Sequence, residues 1–200
     1  VAPPAPVVLL LAAGASRRMR GADKLLEPVE GVPLLRLQAG KALKAGLPLV
    51  VTLPPDRPAR LAALDGLDLT RVTVADAASG LSASVRAGLG AVPEGRAVLI
   101  LLADLPEIEA SDLAALAALH HQAPAMILRA TSAEGRPGHP ILFPADLRAD
   151  LLALEGDAGA RTFLRREAAR VRPVALEGAR AITDLDTPED WAAWRARTGR

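Results

Sequence analysis

The run Ala97-Val-Leu-Ile-Leu-Leu-Ala103 is apolar at every position and stops abruptly at Asp104-Leu-Pro106. A strand with no polar face must be covered on both sides, as in parallel sheets sandwiched by helices. Val7-Val-Leu-Leu-Leu11 has the same character, and Pro48 to Leu53, Arg71 to Ala75 and Pro124 to Ala130 read as further strands. Helical segments separate them: Leu34 to Gly46, Arg57 to Leu64, Gly80 to about Leu89, and one opening at Ser111 as N-cap with Leu113, Leu116 and Leu119 on one face. This alternation predicts a three-layer α/β/α architecture around a mostly parallel, Rossmann-like sheet. Ligands of such sheets gather beyond the carboxyl ends of the strands. The loops after Leu11, Ala75 and Ala103 are therefore the places to look for chemistry.

From Thr131 the rhythm changes. Thr131 to His139 is polar and rich in Gly and Pro, a predicted loop, and Ile141 to Phe143 a brief strand. Helices near Ala145–Leu154 and Gly159–Arg170 and a strand near Val171–Leu176 follow. The last helix opens at Thr187-Pro-Glu-Asp190, where Thr caps, Pro takes the first helical position and the acids favour the dipole. With no repeat and no linker, one domain over residues 1–200 is expected.

Composition closes several routes. Only 2% of the residues are aromatic, so the core must be built from Leu, Val, Ile and Ala. With 24 basic and 23 acidic side chains, the net charge of +1 makes no electrostatic case for nucleic acid. The absence of cysteine removes disulfides, thiolate nucleophiles and cysteine zinc sites, and a cytoplasmic setting is expected. The apolar stretch after Pro6 is too short to span a bilayer and follows no basic segment, so no membrane association is expected.

The loop Leu11-Ala-Ala-Gly-Ala-Ser-Arg-Arg-Met-Arg-Gly-Ala-Asp-Lys24 has the chemistry of a phosphate cradle. The backbone of Leu11, Ala12, Ala13 and Gly14 can approach phosphate closely. Ser16 adds a hydroxyl, and Arg18 and Lys24 can neutralise a triphosphate. It is neither a Walker A loop nor a Gly-x-Gly-x-x-Gly dinucleotide fingerprint, and an ordinary glycine turn with solvated arginines is the competing reading. The chain has three lysines against 21 arginines, so a lysine kept at position 24 suggests that a compact ammonium is needed there. Lys41 and Lys44 are expected on an exposed helix face. Asp104, where a buried strand meets the ligand edge, suits Mg²⁺, though a turn aspartate before Pro106 would look the same. No nucleophile elbow surrounds Ser16. His120 and His121 fall in a last helical turn, and with His139 they are too scattered for a metal site.

The pattern Leu11-Ala-Ala-Gly-x-Ser-x-Arg-Met-x-Gly-x-x-Lys24-Leu-Leu resembles the signature loop of the MobA-like nucleotidyltransferases. These enzymes join CMP or GMP to molybdopterin and share the fold of the nucleotide-diphospho-sugar transferases. Arg20 stands where the family commonly has Gly. The resemblance continues through Gly80-Leu-Ser-Ala-Ser84, Asp104-Leu-Pro106, Gly138-His-Pro-Ile-Leu-Phe143, Gly156-Asp-Ala-Gly-Ala-Arg161 and Asp184-Leu-Asp-Thr-Pro-Glu-Asp190.

By this resemblance Ser82 and Ser84 lie near the base, and Asp104 with Asp184 holds magnesium. His139, Asp157 and Arg161 face the acceptor. Residues of about 7–130 bind the NTP and about 131–200 the acceptor. Helix capping is the competing reading for Ser82, Ser84, Asp157 and Asp184, and the preferred one for Asp186. Ala12-Ala-Gly14 and the Gly156 segment resemble the CTP-using branch, which implies CMP transfer from CTP to molybdopterin and a molybdoenzyme as partner. A GTP-using guanylyltransferase, a transferase acting on a sugar or polyol phosphate, and a non-catalytic cofactor-delivery protein are the alternatives. The last could dispense with Lys24 and Asp104. A nicotinamide-binding reductase lacks its glycine fingerprint here.

Overall fold

Wholly apolar strands and one-sided helices assemble as the sequence pattern requires. The computed structural model describes residues 3–200, apart from the side chains of residues 157–159. Strands β1 (Val7–Leu11), β4 (Leu49–Leu53), β5 (Thr70–Thr73), β6 (Val98–Leu102), β7 (Ile127–Thr131), β8 (Pro137–Phe143) and β9 (Val171–Ala175) form one sheet in the order β5-β4-β1-β6-β8-β7-β9. Every pairing is parallel except those of β8, which runs antiparallel to both β6 and β7. A small hairpin of β2 (Pro28–Val29) and β3 (Val32–Pro33) turns at Glu30-Gly31 and was not anticipated from the sequence. Two-residue strands carry no period to detect.

Side chains alternate along each strand and so feed two separate layers. Val8 and Leu10 of β1 pack with α1 (Leu34–Lys44), α4 (Ala110–Gln122) and α7 (Pro188–Thr198), through Leu34, Leu35, Leu113, Leu116, Trp191 and Trp194. Val7, Leu9 and Leu11 face the other way, against α3 (Leu81–Leu89), α5 (Arg148–Leu152) and α6 (Gly156–Arg166), through Val85, Leu89, Leu151 and Phe163. Burying each Leu or Val side chain contributes about 1.5–3 kcal/mol, so the central strands dominate the stability. A short helix, α2 (Pro58–Ala63), lies between β4 and β5 in sequence. No helix of the described residues is long and apolar enough to cross a membrane.

Three local expectations change. Residues 137–139 belong to β8 rather than to a loop: Pro137 pairs with Thr131 beyond an irregularity in register, and the His139 N–H donates to the Ala181 carbonyl at 2.9 Å. Helix α4 starts at Ala110 with Glu109 as N-cap, not Ser111, and Asp112 accepts from the Glu109 backbone N–H at 2.9 Å. Lys41 is buried (7% exposed), its ammonium donating to the carbonyls of Pro106 and Ile108 at 2.9 and 2.6 Å. Burial holds its pKa below the usual lysine value, although Glu109 opposes the shift. The lysine thus ties the segment after β6 to α1.

Candidate active site

The parallel strands β1 and β6 end side by side, with Leu11 paired to Leu102. The loop after β1 and Asp104 after β6 therefore emerge on the same edge. Between them lies a cleft of about 740 Å³, lined by Leu11, Ala13, Gly14, Ser16, Arg18 and Lys24 on one side and by Ser84, Asp104 and Asp186 among others. Its far end is formed by Pro54, Asp56 and Arg57 after β4 and by residues 77–81 before α3.

Gly14 and Ala15 are exposed at the cleft, and their N–H groups have no protein partner among the described residues. The carbonyls of the same loop face inward. Arg60 of α2, fully buried, donates from Nη1 to the carbonyls of Ala12 (2.6 Å) and Gly14 (2.7 Å). It also forks onto Asp23 through Nε and Nη2, at 2.7 and 2.8 Å. Ser16, in the left-handed region at φ 53°, accepts from Arg60 at 3.0 Å and donates to Asp23 at 3.3 Å. Its hydroxyl is thus part of the internal bracing of the loop. Burial pushes the Asp23 carboxyl up, but Arg60, the Leu25 N–H and Arg57 together outweigh it and hold the pKa below the usual value.

Lys24 emerges next to that brace and meets two carboxylates. Its Nζ lies 2.6 Å from Asp104 Oδ2 and 2.6 Å from Asp186 Oδ1. Burial acts to lower the Lys24 pKa, and the two carboxylates override it, leaving it raised. Arg18, 69% exposed, reaches the other oxygen of Asp186 at 2.5 Å. The segment from residue 184 to 186 is brought here by the Leu185 N–H, which donates to the Asp104 carbonyl at 3.2 Å, and by Leu185 itself, buried in the core.

Asp186 was expected to be a cap or turn residue. Capping belongs instead to Thr187, which accepts from the Asp190 N–H at 3.1 Å, and to Asp190, which accepts from Asp186 and Thr187 N–H groups. The Asp186 side chain is left free for Lys24 and Arg18. Burial raises its pKa, and Lys24 and Arg18 bring it below the usual value. Asp184 is shifted the opposite way, raised by burial and by the like charges of Asp186 and Asp104. The other oxygen of Asp104, Oδ1, is buried and has no hydrogen-bond partner.

The remaining expected site residues divide. Ser84 lines the cleft, whereas Ser82 is buried (4% exposed) on α3 with its hydroxyl unpartnered and does not reach the cleft wall. His139 is half-buried, near Asp104 and Arg129; burial, then the Arg129 charge, push its pKa down to about 4 against the pull of Asp104. Arg161 is exposed on α6 and is not part of the cleft lining. The side chain of Asp157 lies outside the described residues. No group of three or more His, Cys, Asp or Glu side chains set to hold a metal occurs among the described residues.

Arg60 and Asp23 escaped the sequence reading. An arginine in a short Pro-Ala-Arg-Leu helix looks solvated, and only its contact with a loop more than forty positions earlier distinguishes it. Arg20 has φ 53°, the left-handed region that favours glycine, and its guanidinium pairs with Glu189 at 2.5 Å. The loop therefore keeps its turn at the position where glycine was expected.

Comparison with known proteins places the chain among nucleotide transferases. A family model described as MobA-like NTP transferase domain matches residues 8–171. The chain is similar to the nicotine blue oxidoreductase of Paenarthrobacter nicotinovorans, 30% identical over 187 residues, covering 90% of this chain and 92% of that one. It is also similar to the molybdenum cofactor guanylyltransferase of Rhodopseudomonas palustris, 33% identical over 202 residues, covering 95% and 91%. Among solved structures, that of Rv0371C from Mycobacterium tuberculosis in complex with manganese has a TM-score of 0.76 and 26% identity, covering 95% of this chain and 97% of that one.

Proposed function

The chain belongs to the MobA-like NTP transferase family, and from that premise we propose that it transfers CMP from CTP to molybdopterin, releasing pyrophosphate. The observation that carries this reading is the placement of Lys24 and Asp104. They face one another at 2.6 Å across the carboxyl edge of the sheet, beside the Gly14 and Ala15 amides, which have no protein partner among the described residues. In this reading residues of about 7–130 bind the nucleotide and about 131–200 the acceptor.

An acceptor phosphate oxygen attacks the α-phosphorus in line, a P–O bond forms, and the bond to the leaving pyrophosphate breaks. No protein nucleophile is needed. The amides of Gly14 and Ala15, with Arg18 and Lys24, would meet the charge growing on the pyrophosphate. Ser84 sits where it can approach the ribose or base, and His139 faces the acceptor. The donor set fits a hard divalent cation, Mg²⁺ being the expected one. Asp104 has a buried oxygen without a partner, and burial, joined by the nearby charges of Asp186 and Asp104, raises the Asp184 pKa. Asp104 with Asp186 or Asp184 would hold it, and the ion would supply charge neutralisation on the phosphates.

Two relatives define the rival readings. The guanylyltransferase favours GTP as donor, and the oxidoreductase favours redox chemistry in the same cleft. A lysine set between carboxylates beside free amides is a clamp for phosphate and has no part in hydride transfer. Pyrophosphate release should be measured with CTP and GTP, with molybdopterin and with sugar phosphates, alongside oxidation of reduced nicotinamide cofactors. CTP- and molybdopterin-dependent release is expected. Lys24→Ala or Asp104→Ala should fold normally and lose about a hundredfold to a thousandfold in turnover. Near-normal turnover in Asp104→Ala would remove the metal assignment, and cofactor oxidation without pyrophosphate release would replace the transferase reading.

A further inference from the structure

The loop carbonyls are gripped by two arginines: Arg57, which precedes α2 and also lines the far end of the cleft, and Arg60 within α2. Arg57 donates to the Ala15 carbonyl at 3.1 Å, and Arg60 takes the carbonyls of Ala12 and Gly14, the Ser16 hydroxyl and both oxygens of Asp23. Arg60 has no exposed surface. A buried guanidinium needs every donor directed at an acceptor, and its planar fork dictates where those acceptors lie. Here the acceptors are consecutive pieces of the loop and the residue immediately before Lys24.

We infer that Arg60 is the positioning residue of the phosphate loop: it holds the Ala12 and Gly14 carbonyls and Asp23 from behind, so that the Ala13 and Ala15 amides and Lys24 face the triphosphate. The inference rests on the reading of the cleft as an NTP site. In a trans peptide unit the carbonyl of one residue points opposite to the N–H of the next, so fixing the Ala12 and Gly14 carbonyls inward presents the Ala13 and Ala15 amides outward. Arg60 touches no substrate. It acts through the backbone of Ala12 and Gly14 and through Asp23, which fixes the start of the Lys24 side chain.

The discriminating variant is Arg60→Lys. It keeps a positive charge against Asp23 but cannot reach the carboxylate and both carbonyls at once. Asp23→Asn, which keeps the shape and weakens the fork, is the second variant. Arg60→Met is avoided because it strands a buried carboxylate. Binding would be measured calorimetrically for CTP, inorganic tripolyphosphate and cytidine.

Arg60→Lys should melt as a folded protein and bind CTP and tripolyphosphate about tenfold to a hundredfold more weakly, with cytidine unchanged. Asp23→Asn should shift in the same direction by less. Wild-type affinity of Arg60→Lys for tripolyphosphate would overturn the inference, as would an equal weakening for cytidine, which marks a general structural role. Should the wild-type protein bind neither CTP nor tripolyphosphate, the NTP reading falls and the inference with it. Wild-type binding with undisturbed variants would remove the inference alone.

Discussion

Gly138 is the position where the smallest perturbation should reach the site through the backbone. A Cβ added there would lie 1.9 Å from the Ala181 carbonyl oxygen and 2.9 Å from Ile182 Cγ2, whereas ordinary contact begins near 3.4 Å. The same oxygen accepts the His139 N–H at 2.9 Å, so neither strand can yield without breaking that bond. The 181–186 segment must retreat by about 1.5 Å, the gap between those contact distances. Four residues further on, Leu185 is bonded to the Asp104 carbonyl and Asp186 to Lys24. Gly138→Ala should therefore separate Asp186 from Lys24 as well as strain β8. Overpacking of this kind costs about 1–3 kcal/mol, or a drop in melting temperature of a few degrees for a chain of this size. An ångström of misplacement costs about a hundredfold in turnover. Thermal unfolding and pyrophosphate release, measured on one preparation, read the two effects separately. A variant that melts like the wild type and turns over at its rate would refute the argument that this close approach positions Asp186.

Two further outcomes follow from the same coordinates. His139 titrates near 4 when folded and near 6.5 when unfolded, so its contribution is complete above pH 6.5 and is lost as pH falls toward 4. The loss is at most about 3 kcal/mol, less what solvent screens at a half-buried ring. Urea unfolding of wild type and His139→Gln at pH 7 and pH 4.5 should show a smaller fall for the variant, and equal falls would contradict the assignment. Arg20→Gly relieves a left-handed residue at a cost of about 1 kcal/mol and gives up an exposed pair with Glu189 worth little. Stability within about 1 kcal/mol of wild type, or slightly above it, is expected with turnover unchanged. A larger loss would mean that the Glu189 pair braces the loop.

The central strands Val7–Leu11 and Val98–Leu102 were readable because each is apolar throughout and ends at a charged or glycine-rich loop. Parallel order and the ligand edge followed from that pattern; Lys24 and Asp104 were singled out separately, as a phosphate-facing cation and a metal ligand, and their contact with each other was not foreseen. The second half resisted for a physical reason. Gly138, His139 and Pro140 have the composition of a turn, yet they lie within β8, held between Pro137, which pairs with Thr131, and Ile141, which pairs with Arg129. Lys41 was expected on an exposed helix face and Asp186 as a cap, and Arg60 was not singled out at all. A charged side chain carries no mark in sequence of the distant carbonyl or carboxylate that satisfies it, and only the folded chain supplies Pro106, Gly14 and Lys24 as those partners.

The balance of charge in the cleft bears on why a divalent ion should be required. Asp104, Asp184 and Asp186 share one corner, and Lys24 and Arg18 are the cations that contact them. A triphosphate entering this corner competes for the same two cations. If Lys24 turned to the phosphates, Asp104 and Asp186 would lose a partner at 2.6 Å while a polyanion approached them, an arrangement that repels strongly in a partly buried site. A divalent cation between carboxylates and phosphates removes that conflict, and it takes oxygen ligands of just this kind. On this reasoning nucleotide and metal should bind with mutual reinforcement, each weak alone.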